Sequence, residues 1–279
     1  LVMLWDGWQR HNQPAQTAAV AGPATSGSAA APTPTTSLSV DSNAVPAASA
    51  ATLASDAPKA VISTDLYVAE VSAQGGDIVR LELTKHKAKE DKAKNFVLLQ
   101  ADSQHVYRAQ SGLIGDKLPT HKTLFALKEG NYNLPEGKDS FELRLDAPEA
   151  DGVKVSKVLT FRRNSYLIDV AYEITNNGQG AIAPNAYFQL ERDGSEPEGD
   201  TKMVQTFTGA ALYTESEKYK KMSFSDIAKD KAKFAPKANN GWIGIVQHYF
   251  VAAWLPQGTA EREFFVRKLS ENLFSAGVM

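Results

Sequence analysis

The run from Gly241 to Gly258, GWIGIVQHYFVAAWLPQG, constrains the fold of this chain more than any other stretch. On a two-residue period Ile243, Ile245, Gln247, Tyr249, Val251, Ala253 and Leu255 share one face, and Trp242, Val246, His248, Phe250, Ala252 and Trp254 share the other. Both faces are largely apolar. A half-exposed strand alternates apolar with polar, so two apolar faces point to a strand buried between two layers, as inside a β-sandwich. A buried helix is also apolar all round, but β-branched and aromatic residues dominate here and a glycine stands at the start, which favours a strand. One central strand over Gly241 to Leu255 is therefore expected.

The chain around it reads as further short strands separated by turn residues. Leu66 to Val71 and Ile78 to Leu83 flank Gln74-Gly75-Gly76-Asp77, whose glycines supply the positive φ angles of a tight hairpin. Phe96 to Gln100, Val106 to Gln110, Phe141 to Leu145, Val153 to Phe161, Tyr166 to Thr175, Ala186 to Leu190 and Phe207 to Tyr213 follow. In Tyr166 to Thr175, Tyr166, Ile168, Val170, Tyr172 and Ile174 alternate with Leu167, Asp169, Ala171, Glu173 and Thr175, the pattern of a strand with one buried face, and Asn176-Asn177-Gly178 ends it as a turn. Lys85 to Lys94 reads as a lysine-dense loop, Glu191 to Asp200 as a solvated acidic loop, and Ser225 to Ala228 as one capped helical turn. Repeated strands without a long helical period imply an all-β fold, a twisted antiparallel β-sandwich.

Three segments are expected. Residues 1–12 begin with Leu1-Val2-Met3-Leu4-Trp5 and read as the remnant of an N-terminal transmembrane anchor, with Trp5 and Trp8 at the membrane–water interface. Residues 13–60 are almost wholly Ala, Thr, Ser, Pro, Gly and Val, with no aromatic residue and hardly a charge, and read as a disordered linker because they have little to bury against the chain entropy. Residues 61–279 carry the folded domain, incomplete at its C-terminus. A net charge of −2, from 30 basic and 32 acidic residues, gives no global field to draw the chain onto nucleic acid. The absence of cysteine removes disulfides, thiolate metal sites and cysteine nucleophiles together.

No catalytic residue, metal site or cofactor is expected, because phosphate-binding glycine loops, His-Glu-x-x-His and Gly-x-Ser-x-Gly are all missing. His86 lies in the lysine loop, and His105 and His121 are isolated in polar surroundings. His248 is the one histidine on the central strand, where such a residue is more often packed than catalytic. Trp242, His248 and Trp254 define a candidate cleft. Tyr213, Lys218, Tyr219, Lys220, Lys221 and Phe224 define a mixed basic and aromatic surface suited to a protein partner.

Several strings carry a resemblance, each in order along the chain. They are Asp77 after Gly75-Gly76; Tyr107-Arg108-Ala109-Gln110-Ser111-Gly112-Leu113; Leu159-Thr160-Phe161-Arg162-Arg163; Thr206-Phe207-Thr208-Gly209-Ala210-Ala211; Glu217-Lys218-Tyr219; and, in the central run, Gln247, Tyr249, Phe250 and Ala253-Trp254-Leu255-Pro256. From about Val61 to Val278 the chain resembles the large periplasmic domain of the YidC/Oxa/Alb family of membrane protein insertases. That resemblance implies a supersandwich of the galactose-mutarotase kind, held in the periplasm at the bacterial inner membrane. It also implies a chaperone-like role beside the Sec translocon: contact with SecD and SecF through about Gln205 to Pro256, association with SecYEG, and a tether to the lipid bilayer through the anchor. Nascent inner-membrane clients would be handled by a transmembrane bundle that this chain does not contain. A second function class is a mutarotase-like sugar-binding protein or aldose epimerase on the same fold. Epimerisation needs an acid and a base facing each other across the sugar ring, and no Glu can be paired with His248 from sequence.

Overall fold

A computed structural model describes residues 44–46, 56–197 and 206–279. The expected anchor remnant, residues 1–12, lies outside the described residues, as does most of the expected linker. In chain order the strands are β1 (Lys59–Ser63), β2 (Tyr67–Ser72), β3 (Ile78–Lys87), β4 (Asn95–Ala101), β5 (Val106–Ile114), β6 (Gly130–Asn133), β7 (Ser140–Asp146), β8 (Val153–Arg162), β9 (Ile168–Asn176), β10 (Asn185–Asp193), β11 (Gly209–Thr214) and β12 (Lys218–Ser223). A short helix, α1 (Phe224–Ala228), precedes β13 (Lys237–Ala238), β14 (Trp242–Gln247), β15 (Phe250–Trp254), β16 (Arg262–Ser270) and β17 (Leu273–Val278). Among the described residues no helix is long and apolar enough to cross a membrane.

The fold is all-β. Ten strands form one sheet in the order β13-β16-β17-β10-β5-β4-β3-β2-β1-β6, four form β12-β11-β14-β15, and three form β7-β8-β9. The ladders are antiparallel apart from β1 with β6. Alternation places Ala60, Ile62, Tyr67, Ala69, Leu81, Leu83, Ala109, Leu190 and Ala276 on one face of the large sheet, all buried. Both smaller sheets pack on that face, through Leu143, Leu145, Leu159 and Phe161 on one side and Ala210, Leu212, Ile243 and Ile245 on the other. Fully buried side chains such as Phe161 and Leu159 contribute on the order of 1.5–3 kcal/mol each. Polar ties join the layers as well. Tyr107 donates its hydroxyl hydrogen to the carbonyl of Ile245 (3.2 Å), and Arg192 Nε donates to Gln247 Oε1 (3.1 Å).

The expected single central strand over Gly241 to Leu255 is instead a hairpin, β14 and β15, turned by His248-Tyr249. His248 takes the left-handed conformation, φ 53°, and Tyr249 is 82% exposed at the tip. Neither residue is a strong turn former, so the run reads through the reversal. Strands buried on both faces lie in the large sheet: β17 throughout, and β5, whose residues from Val106 to Leu113 are all buried although Arg108, Gln110 and Ser111 are polar. The latter sits between β4 and β10, with β3 joining it at Ile78 opposite Ala109.

Four other expectations change. The strand over Tyr166 to Thr175 begins only at Ile168, and Tyr166, which alternation places on the buried face, is 50% exposed in the connection before it. Glu191 is not in a solvated acidic loop, because β10 runs on to Asp193 and Glu191 is fully buried. Val45, inside the expected linker, is buried against Tyr187 and Phe265, where an isolated apolar side chain finds a pocket. The helical turn starts at Phe224 and is capped by Ser223, whose Oγ accepts from the Asp226 amide at 3.0 Å while donating to Asp226 Oδ2 at 2.6 Å.

The hairpin at Gly75-Gly76 forms as expected, with φ 71° and 62°. It is also enclosed. The Gly75 amide donates to Thr123 O (2.8 Å), and its carbonyl accepts from Lys157 Nζ (2.9 Å). A Cβ on Gly75 would lie 2.5 Å from the His121 carbonyl oxygen. Gly75→Ala is therefore expected to cost about 2 kcal/mol, from backbone strain and displacement of the 120–123 loop. A guanidinium titration should show a lower midpoint at unchanged slope.

Candidate interaction surface

The outward face of the four-stranded sheet gathers aromatic side chains from three neighbouring strands. Tyr219 of β12 is opposite Tyr213 of β11, which is opposite Trp242 of β14, so the three share one face. Trp242 stacks at 6.5 Å on Tyr213 and lies 6.0 Å from the ring of Tyr219. Lys221, two residues beyond Tyr219, places Nζ 5.0 Å from the centroid of Phe207 and 6.0 Å from that of Tyr219. Phe207 bends over the start of β11, where a Cβ on Gly209 would meet its Cζ at 2.8 Å. Cross-strand aromatic pairs of this kind hold their rings in place at small entropic cost. The result is a rigid surface of Phe207, Tyr213, Tyr219 and Trp242 with one cation above it.

The residues expected at a partner surface are thus divided. Tyr213, Tyr219 and Lys221 come together. Lys218 and Lys220 are exposed but fall on the opposite face of β12 by alternation. Phe224 belongs to the core: its ring stacks on Phe274 at 4.7 Å and lies under the Arg192 guanidinium at 5.7 Å. Phe207 was missed as a surface residue, because Phe207 to Tyr213 reads as one continuous strand.

Nor are the three expected cleft residues brought together. Trp242 faces outward with the tyrosines. Trp254 is opposite Ile243, on the inner face, and its ring lies 5.1 Å from Phe188. His248 is in the hairpin turn, Nδ1 3.0 Å from Thr206 Oγ1. A cleft of about 300 Å³ opens elsewhere, between Asp116, Lys117, Asp151 and the turn at Asn176 to Ile182, and Lys117 is paired with Asp151 across it at 2.5 Å.

A buried cluster of ionisable groups surrounds β5, and sequence reasoning did not single it out. Arg108 donates through Nε and Nη2 to Glu191 Oε2 at 2.9 and 2.8 Å. Gln110 Nε2 donates to Asp77 Oδ2 (2.8 Å), and Gln189 Nε2 donates to Gln110 Oε1 (3.0 Å). Lys157 occupies the buried register of β8 beside Val155 and Leu159, and its ammonium meets the Gly75 carbonyl. Burial pushes the Asp77 carboxyl up to about 7, against the pull of Lys157 and Arg108. Burial also lowers Lys157 to about 8, with Asp77 drawing it back up. The His121 ring, 4% exposed, is driven down to about 3, first by burial and then by Arg108 and neighbouring lysines. The backbone amide of His121 donates to the Tyr187 hydroxyl (3.0 Å), and its Nδ1 lies 2.6 Å from the same oxygen. The available signal was register: Lys157 interrupts an apolar stripe, and Arg108 and Glu191 stand opposite each other across β5 and β10. Among the described residues no group of three or more His, Asp or Glu side chains is arranged to hold a metal ion.

Comparison with known proteins shows the family of the chain. The family profile described as the YidC periplasmic domain matches residues 59–279. The chain is 57% identical over 281 residues to the membrane protein insertase YidC of Aromatoleum aromaticum, covering 100% of this chain and 51% of that protein. It is 50% identical over 279 residues to the YidC insertase of Dechloromonas aromatica, covering 99% and 50%, and 46% identical over 296 residues to that of Nitrosospira multiformis, covering 100% and 52%. The chain spans about half the length of these curated relatives. Among solved structures, a galactose mutarotase related enzyme from Lactobacillus acidophilus aligns with a TM-score of 0.47 at 11% identity, over 78% of this chain and 84% of that one.

Proposed function

Because this chain belongs to the YidC periplasmic domain family, we propose that it works as the non-catalytic, partner-binding domain of an inner-membrane protein insertase. Residues 59–279 form its periplasmic β-domain, and the residues before them serve as its tether toward the membrane. Insertion and folding of inner-membrane clients belong to the remainder of such a protein. The domain scaffolds that machinery beside the Sec translocon and contacts SecD and SecF. The observation that carries this reading is the aromatic face of β12, β11 and β14, since rigid Tyr and Trp side chains with a neighbouring cation are the residue types that anchor protein interfaces.

The test is made in full-length insertase. Tyr219→Ser with Lys221→Glu is expected to lower co-purification with SecD and SecF severalfold. Fold stability should change by only about 1 kcal/mol, the size of one exposed aromatic pair. Lys218→Glu with Lys220→Glu, on the other face of β12, should leave co-purification unchanged. Equal loss in both variants would show that bulk charge, not this face, makes the contact. No loss in either would remove it from the partner surface.

A further inference from the structure

A second set of exposed side chains lies where three connections converge. The β3–β4 hairpin carries Lys85, Lys87, Lys89, Lys92 and Lys94 against Glu90 and Asp91, all exposed. His86, on that hairpin, has its ring 5.4 Å from Phe250 of β15 and 6.4 Å from Tyr166 of the β8–β9 connection. Phe96, at the start of β4, stacks on Phe250 at 4.2 Å. These contacts fix the lysine hairpin beside two projecting apolar tips. Tyr166 and Leu167 are 50% and 59% exposed, and Tyr249, next to Phe250, is 82% exposed.

These side chains touch the domain on one side, Tyr166 against Tyr67 and His86 and Tyr249 against His248, and leave at least half of their surface in solvent. Combined with a local excess of lysines they are unlike an ordinary solvated loop, which is polar throughout. Tyrosine is enriched where a polar hydroxyl and an apolar ring both find their medium, at the headgroup level of a bilayer. Lysines beside such rings are attracted by anionic headgroups, and their contributions add along the surface. Long lysine stems also allow the ammonium groups to reach phosphates while the rings insert.

We propose that this part of the domain, built from the 85–94 hairpin, Tyr166-Leu167 and Tyr249, is a docking surface for an anionic phospholipid bilayer. Charge complementarity selects this occupant: the local charge is positive on a chain whose net charge is −2, and the apolar groups stand as separate projecting tips instead of a groove shaped for a peptide. The surface differs from the aromatic face of β12, β11 and β14, so it does not rest on the Sec contact proposed above.

Flotation of the whole chain with phosphatidylglycerol-containing vesicles, and with pure phosphatidylcholine vesicles as reference, tests the proposal. Binding is expected to the anionic vesicles and to be lost at high ionic strength. Lys85→Gln, Lys87→Gln and Lys92→Gln together should lower the partition coefficient on the order of a hundredfold. Leu167→Ser with Tyr249→Ser should lower it about tenfold while leaving the thermal midpoint in place. Binding that persists in both variants would assign the contact to the apolar residues Leu1 to Trp8 and overturn the proposal. So would an absence of binding to anionic vesicles, or a lysine variant that leaves vesicle binding intact and instead abolishes SecD and SecF co-purification.

Discussion

Arg108→Met, made alone, is expected to destabilise the domain by about 3–5 kcal/mol, a large share of the 5–15 kcal/mol that holds a typical domain together. The Arg108 and Glu191 side chains are 6% and 0% exposed, and two guanidinium nitrogens converge on one carboxylate oxygen. Removing the cation leaves a carboxylate inside the sheet with neither water nor a counter-charge, and the desolvation penalty is then uncompensated. Burial already raises the Glu191 pKa and Arg108 opposes that rise, so loss of Arg108 drives the carboxyl further toward its neutral form. Arg108→Met combined with Glu191→Leu should recover most of the loss, since both costs disappear together and the space is refilled with apolar volume. Urea or guanidinium titrations of the two single variants and the double variant give the coupling energy directly. A cost below about 1 kcal/mol for Arg108→Met would mean that water reaches Glu191, contradicting its burial.

The pH dependence of stability carries opposed contributions from the same cluster, Asp77 and Glu191 in one sense and His121 in the other. Asp77 ionises near 3.8 when unfolded and near 7 when folded, so in that interval folding takes up a proton there. Its contribution is fully present below the unfolded value and is lost as pH rises through the folded one. His121 behaves in the opposite sense: it is protonated below about 6.5 when unfolded but only below about 3 when folded, so folding releases a proton. Its contribution is present above 6.5 and is lost as pH falls toward 3. Between pH 3.8 and 6.5 the Asp77 and His121 slopes oppose each other, each about 1.4 kcal/mol per pH unit, and these two largely cancel. Asp77→Asn should therefore make the domain lose about 3 kcal/mol relative to wild type on acidification across that window. His121→Gln should make it gain a similar amount. Denaturant midpoints measured through the window should diverge in opposite directions, and parallel curves for the two variants would show that neither group is sealed from water.

Much of the architecture was legible because alternation and turn chemistry are local. The β9 stripe of Ile168, Val170, Tyr172 and Ile174 is the inward face of its sheet, with Asp169, Ala171, Glu173 and Thr175 outward. The glycine pair at the β2–β3 hairpin takes the two positive φ angles that only glycine adopts at no steric cost. The all-β class and the membership of the insertase family both follow from signals contained within short windows, and the order of those windows along the chain made them specific.

The misread parts are those where burial depends on partners distant in sequence. Gly241 to Leu255 reads as one doubly buried strand because every window in it is apolar, yet its second half folds back on the first, and β15 ends as an edge strand. β5, buried on both faces, carries Arg108 and Gln110, which enter the interior because Glu191 and Gln189 of β10 and Asp77 of the β2–β3 turn meet them. Composition and local period determined that this chain is a β-sandwich and where its hairpin glycines fall. Tertiary structure alone decided which strands are buried on both faces, which lysines share a face with Tyr219, and which way burial shifts Asp77 and His121. The desolvation and pairing energies behind those outcomes exist only once residues many tens of positions apart are in contact.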